Sequence, residues 1–177
     1  MLLVDRIKAT VRDVHGYPKP GIVFKDITPL LSDPALMSEM VREMISRYRQ
    51  LRIDAVAGIE ARGFIIGSIL AHELGCGFIP VRKAGKLPFH TRKQKYDLEY
   101  GTAEIEIHAD ACKPGSRILI HDDLLATGGT AKAAGQLIRD LGAEVTGFSF
   151  LINLGFLPGE AIIKEEFGLT PDFLIKY

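Results

Sequence analysis

A doubly wound, mostly parallel α/β sheet flanked by helices is the fold predicted by three observations. Short apolar runs recur at residues 54–59, 77–81, 118–120 and 145–151, and their lack of alternation suits strands buried on both faces. Helical periodicity fills the gaps between them. Glycines, carboxylates and cations collect directly after three of the runs, at 60–63, 82–86 and 122–130, where an open parallel sheet binds its ligands.

The elements follow in order. Leu3, Ile7 and Val11, with Lys8 and Arg12 on another face, predict an amphipathic helix over residues 2–14 that ends near Gly16. Residues 17–34 hold four prolines and one glycine, so an irregular arm is expected, with one extended piece at Ile22, Val23 and Phe24. Ser32 or Asp33 before Pro34 starts a helix marked by Leu36, Met40, Met44, Ile45 and Leu51. The first central strand, residues 54–59, runs into Glu60-Ala61-Arg62-Gly63. Phe64, Ile65, Ile69, Leu70 and Leu74 then mark a helix ending at Gly75, and residues 77–81 close a right-handed βαβ unit.

Residues 82–95 carry six basic residues and no acid, which predicts a mobile basic loop. Residues 102–107 alternate as an antiparallel or edge strand does. Arg117 to Ala134 reads RILIHDDLLATGGTAKAA: a buried strand, the acids Asp122 and Asp123, a Gly-Gly turn, and a helix from Thr130. Ala133, Ala134, Leu137, Ile138 and Leu141 line that helix, and Gly142 ends it. A strand at 145–151, a helix at 157–167 and a strand at 173–175 complete the chain.

A chain of 177 residues suffices for one domain with a full core. We read it as a helix and arm over residues 1–34 and an α/β core over 35–177. Basic and acidic residues balance at 22 each, so no net field draws the protein to nucleic acid or to an acidic membrane. Cys76 and Cys112 lack metal-ligand spacing and fit reduced thiols in a cytoplasmic protein. No signal segment or membrane span is expected.

Chemistry concentrates in the turn Ala126-Thr127-Gly128-Gly129-Thr130. N–H groups at a helix start, the helix dipole and two threonine hydroxyls suit one phosphate monoester, although a capped Gly-rich turn is the plainer alternative. Neither GxxxxGK[ST] nor GxGxxG is present, which disfavours a nucleoside triphosphatase or a dinucleotide site. Adjacent carboxylates repel, so Asp122 and Asp123 make sense where cations or hydroxyls meet them, ribose hydroxyls among these; a solvated acidic turn is the alternative. The basic residues near 82–95 read either as a solvated face or as an anion site. His15, His72, His90 and His108 show no ligand spacing, and His121 is expected to be a packed or peripheral side chain.

The string HDDLLATGGT resembles the phosphoribosyl pyrophosphate (PRPP) motif of type I phosphoribosyltransferases, in the form found in the branch acting on adenine. PGIVFKDITPLL, EARGF, VRKAGKLP and YDLEYG agree with that family in order and spacing, so the likeness covers nearly the whole chain. The resemblance implies an N-terminal hood over the sheet, Mg²⁺ as cofactor, a homodimer, and the reaction of adenine with PRPP to give AMP and pyrophosphate. Asp122 and Asp123 would then hold the ribose hydroxyls, directly or through Mg²⁺ and water. Ala126, Thr127, Gly128, Gly129 and Thr130 would cradle the 5′-phosphate. Arg62, Lys83 and Lys86 would grip pyrophosphate, helped by a Glu60-Ala61 loop with a cis peptide.

The same resemblance has Phe24 stack on the purine while the main chain of Val23 and Lys25 reads its edge; from the residues alone Phe24 reads as core. The family often has arginine where Lys25 stands. Glu99 would be the acid or base of a closing lid, with Tyr100 packing on the substrate. A transferase for another purine and a PRPP- or purine-sensing regulator are the rival readings.

Overall fold

The computed structural model describes residues 1–97 and 101–177. They form two compact units, Met1–Arg47 and Tyr48–Tyr177. No helix among the described residues is long and apolar enough to cross a membrane.

In the first unit, α1 (Leu3–Thr10) buries Ile7 and stops earlier than its periodicity predicts. Arg12–His15 is instead strand β1, paired antiparallel with β2 (Val23–Asp26) in the register Arg12↔Asp26 to His15↔Val23. Cross-strand pairing thus overrides a helical pattern at its C-terminal end. The arm is also more regular than expected. Asp26 accepts the Thr28 N–H and the Thr28 hydroxyl, both at 2.9 Å, and starts the short helix α2 (Thr28–Leu31). Pro29 sits in its first turn, where a missing N–H costs nothing. Asp33 then caps α3 (Pro34–Tyr48) by accepting from the N–H groups of Ala35 and Leu36, each at 3.0 Å.

The second unit is built on a seven-stranded sheet. Its strands are β3 (Ala55–Ile59), β4 (Gly77–Lys83), β5 (Thr91–Asp97), β6 (Thr102–His108), β7 (Arg117–Leu125), β8 (Glu144–Asn153) and β9 (Asp172–Lys176). Helices α4 (Gly63–Leu74), α5 (Gly129–Asp140) and α6 (Gly159–Phe167) connect them. The spatial order is β5-β6-β4-β3-β7-β8-β9. Strands β4, β3, β7, β8 and β9 are parallel; β6 is antiparallel to β4, and β5 to β6.

Because β3 leads outward to β4 and the neighbouring β7 leads the other way to β8, the strand order reverses between β3 and β7. The carboxyl ends of these two strands therefore flank the crevice where such sheets hold ligands. All five residues of β3 are buried, as a strand covered on both faces requires.

Two expectations need correction here. The basic stretch 82–95 is a loop only over residues 84–90, because β4 runs to Lys83 and Thr91 opens β5. Its side chains are mostly exposed, which is how an edge strand rich in lysine and arginine discourages further pairing. Strand β6 is antiparallel, one of the two forms its alternation allows, and it lies inside the sheet while β5 takes the edge. Strand β7 does not end at the acidic pair: Leu124 and Leu125 continue it, opposite Ile152 and Asn153 of β8.

Candidate active site

Three chain segments meet at the β3/β7 crevice. The first follows β3, where the Glu60–Ala61 peptide is cis, as the family resemblance implied. Glu60 Oε1 accepts from Arg82 Nη2 at 2.8 Å, while Oε2 accepts from Arg82 Nε at 3.2 Å and from the Lys83 N–H at 3.1 Å. These bonds, led by the Arg82 guanidinium, hold the Glu60 carboxyl below its ordinary range. Glu60 thus uses its oxygens to brace the end of β4, a structural part that the sequence does not reveal.

The second segment is the end of β4 with the loop after it, which present Lys83 and Lys86, both exposed. The third is the end of β7. Asp123 is 3% exposed and pairs with Arg62 through Nε and Oδ2. Asp122 Oδ1 accepts the Asp123 N–H at 2.8 Å. Burial, and after it the neighbouring Asp123 charge, push the Asp122 carboxyl well above the usual range. The two acids therefore differ in kind: Asp123 is paired with a guanidinium, whereas burial and its neighbour disfavour the charge on Asp122.

Glu60, Ala61, Arg62, Lys83, Lys86, Asp122 and Asp123 line one cavity of about 400 Å³. Beside it, Asp122, Ala126, Thr127, Gly128, Gly129 and Thr130 border a smaller hollow of about 80 Å³. Gly128 takes φ 86°, which turns the chain into α5, and among the described residues no side chain caps that helix. Its first-turn N–H groups are therefore available to an anion, with the helix dipole adding to their pull. A cavity of about 800 Å³ between β5, α5 and α6 shares only Thr127 and Gly129 with this hollow and contains neither acid of the pair.

Two glycines that the sequence did not single out for packing set the spacing. A Cβ on Gly63 would stand 2.9 Å from the His121 carbonyl oxygen and 3.0 Å from Asp122 Oδ1. One on Gly159 would stand 2.3 Å from the Ala126 carbonyl oxygen. His121 is fully buried in β7 with Nδ1 3.2 Å from Ser149 Oγ. Burial pushes its pKa down to about 3, so it is a packed neutral side chain, as expected.

Val23, Phe24 and Lys25 belong to β2 of the first unit. Phe24 is half-buried rather than sealed in a core, and Tyr17 meets it edge-on at 5.3 Å between centroids. Lys25 Nζ lies 2.7 Å from Asp13 Oδ1 across the hairpin. Glu99 and Tyr100 lie outside the described residues. No cluster of three or more potential His, Cys, Asp or Glu metal ligands occurs among the described residues. The carboxylate oxygens of Asp122 and Asp123 are the hard donors that suit Mg²⁺, with the remaining ligands left to water or phosphate oxygens.

A phosphoribosyl transferase domain model matches residues 30–155. An adenine phosphoribosyltransferase of Thermobifida fusca is 56% identical over 163 residues, covering 92% of this chain and 91% of that protein. The crystal structure of the enzyme from Rhodothermus marinus superposes with a TM-score of 0.93 at 44% identity, covering 99% of this chain and 98% of that one. The Saccharomyces cerevisiae enzyme, complexed with adenine and D-2,5-dideoxy-2,5-imino-altritol 1,6-bisphosphate, does so at 0.89 and 35%, with 98% of each chain covered. On the matched domain, the identity and the site geometry together, this chain belongs to the phosphoribosyl transferase family, in its adenine phosphoribosyltransferase branch.

Proposed function

We propose that the protein transfers the 5-phosphoribosyl group of PRPP to adenine, giving AMP and pyrophosphate in purine salvage. The observation that carries the reading is the 400 Å³ cavity at the sheet's switch point, which gathers three cations and three carboxylates beside a phosphate-sized hollow. One end suits a diphosphate, the middle a ribose, and the other end a monophosphate.

On this reading Ala126, Thr127, Gly128, Gly129 and Thr130 hold the 5′-phosphate through main-chain N–H groups and hydroxyls. Asp122 and Asp123 orient the ribose hydroxyls. Arg62 exchanges its Asp123 partner for the diphosphate and acts with Lys83 and Lys86. As the C1′–O bond breaks, charge builds on the leaving pyrophosphate and the ribosyl centre becomes oxocarbenium-like. Cations fixed at the leaving group favour that state over the ground state. Mg²⁺, held by Asp122 and Asp123 through water or the substrate, would add charge neutralisation at the phosphates. Val23 and Lys25 read the purine edge by main chain, Phe24 stacks on it, and Tyr100 packs over the bound substrate. Glu99 moves a proton on the purine ring as N9 attacks C1′.

As a family member the protein is proposed to act in the cytoplasm as a homodimer. Light scattering should then give about twice the chain mass of 19.5 kDa. The direct test is product formation from PRPP and Mg²⁺ with adenine, hypoxanthine or guanine. AMP alone should form; IMP or GMP at comparable kcat/KM would move the base assignment, and no nucleotide with any base would overturn the reading.

A further inference from the structure

Glu106 lies on β6 and is 1% exposed, yet no part of the transfer chemistry described so far uses it. A carboxylate so deeply placed needs partners for both oxygens. Oε1 accepts the N–H groups of Lys86 and Leu87, each at 2.8 Å, and Oε2 accepts the Thr91 hydroxyl at 3.2 Å. Lys93 Nζ stands 4.0 Å from Oε2. Burial pushes the carboxyl's pKa up and is the largest single influence. The N–H groups of Leu87, Gly85 and Lys86 and the Thr91 hydroxyl together outweigh it, so the group is held below its ordinary value and stays charged.

These bonds converge on one loop. Across β4, Arg82 sits opposite Glu106 in register, and its Nη1 donates to the Lys86 carbonyl at 2.9 Å. Arg82 also grips Glu60 at the foot of the cis-peptide turn. Lys86 is therefore fixed through both of its main-chain groups, N–H by Glu106 and C=O by Arg82, while its side chain borders the cavity. A flexible lysine head gains affinity for an anion when the backbone beneath it is already ordered.

We propose that Glu106 is a positioning residue for pyrophosphate: it acts through the main chain of Lys86 to hold that side chain at the leaving-group end of the site. This rests on the function proposed above. The glutamine variant keeps one oxygen able to accept both N–H groups, and its amide can donate to the Thr91 hydroxyl. Alanine leaves both N–H groups without an acceptor.

Calorimetric titration of magnesium pyrophosphate into wild type, Glu106→Ala, Lys86→Ala and the double variant tests the proposal, with AMP as the control ligand. Each single variant should lose about tenfold in pyrophosphate affinity, and the double variant should bind like Lys86→Ala alone, because the two changes share one contact. AMP affinity should stay within about twofold, and Glu106→Gln should bind pyrophosphate within about twofold of wild type. Losses that multiply in the double variant, or equal losses for AMP, overturn the positioning role while leaving the transferase reading intact. A wild-type protein that binds no pyrophosphate overturns both. If Glu106→Ala does not fold by circular dichroism, Glu106→Asp, which withdraws the acceptor by one methylene, enters the same cycle with the same expected non-additivity.

Discussion

Gly159 lies outside the cavity yet fixes the shape of the phosphate loop. Its N–H donates to the Ala126 carbonyl at 3.1 Å, and an added Cβ would meet that same oxygen at 2.3 Å and Leu125 Cδ1 at 2.9 Å. The obstacle is backbone, so Gly159→Ala must displace either the start of α6 or the loop. Overpacking of this kind costs about 1–3 kcal/mol, and a loop moved by a fraction of an ångström should raise KM for PRPP by roughly tenfold. Steady-state kinetics beside a melting curve would read both; a normal KM in a destabilised variant would show that α6 does not set the loop. Glu99 is a different case, because its proposed role lies in proton movement. Glu99→Leu should fold normally, keep its affinity for PRPP, and lose about 10²-fold in kcat. Full turnover would remove Glu99 from the mechanism.

At the scale of elements, what could be read from sequence depended on how each element is buried. Strand β3 and the central stretches of β7 and β8 are legible because burial on both faces favours apolar side chains there. The phosphate loop is legible because its glycines sit between such a strand and a helix. Strand β5 was not, since an edge strand of lysines, arginine and glutamine has the composition of a loop, and only its pairing with β6 distinguishes it. Glu106 was missed for a related reason. In TAEIEI it reads as the solvent-facing member of an alternating pair, but Ile105, Glu106 and Ile107 are all buried, because the loop hydrogen-bonded to Glu106 covers the second face. The β1–β2 hairpin was read partly as helix, and its register gives a test of base recognition. Lys25 stands opposite Asp13 and pairs with it by side chain, which leaves its main chain as the proposed contact to adenine. Lys25→Arg can keep the Asp13 pair and should leave KM for adenine within about twofold, because the proposed contact is made by the main chain. A larger change would assign the lysine head itself to the purine.

For the molecule as a whole, acids held below their ordinary range make its stability fall at low pH. Glu60, Glu106 and Glu160 are each held below the ordinary glutamate value of 4.5, Glu60 mainly by Arg82, Glu106 by loop N–H groups against its own burial, and Glu160 mainly by Lys176. A carboxyl whose folded pKa is depressed gives stability that is complete above its unfolded pKa and is lost as pH falls through the folded one. The Glu60 and Glu160 pairs are partly open to water, which screens them, whereas Glu106 is enclosed. Hydrogen bonds to a charged acceptor are worth roughly 1.5–3 kcal/mol, against about 1 for neutral ones. Glu106→Gln should therefore be less stable than wild type at pH 7 by about 1–2 kcal/mol. The gap should narrow as pH falls through 4.5, where the unfolded wild-type chain takes up the Glu106 proton before the folded protein does. Buried His121 weakens both proteins alike as pH falls below 6.5, so its effect cancels in the difference. Urea unfolding of the pair at pH 7, 5 and 3.5 would measure this directly. A gap that stays constant across the series would mean that folding does not hold the Glu106 carboxyl below its unfolded value.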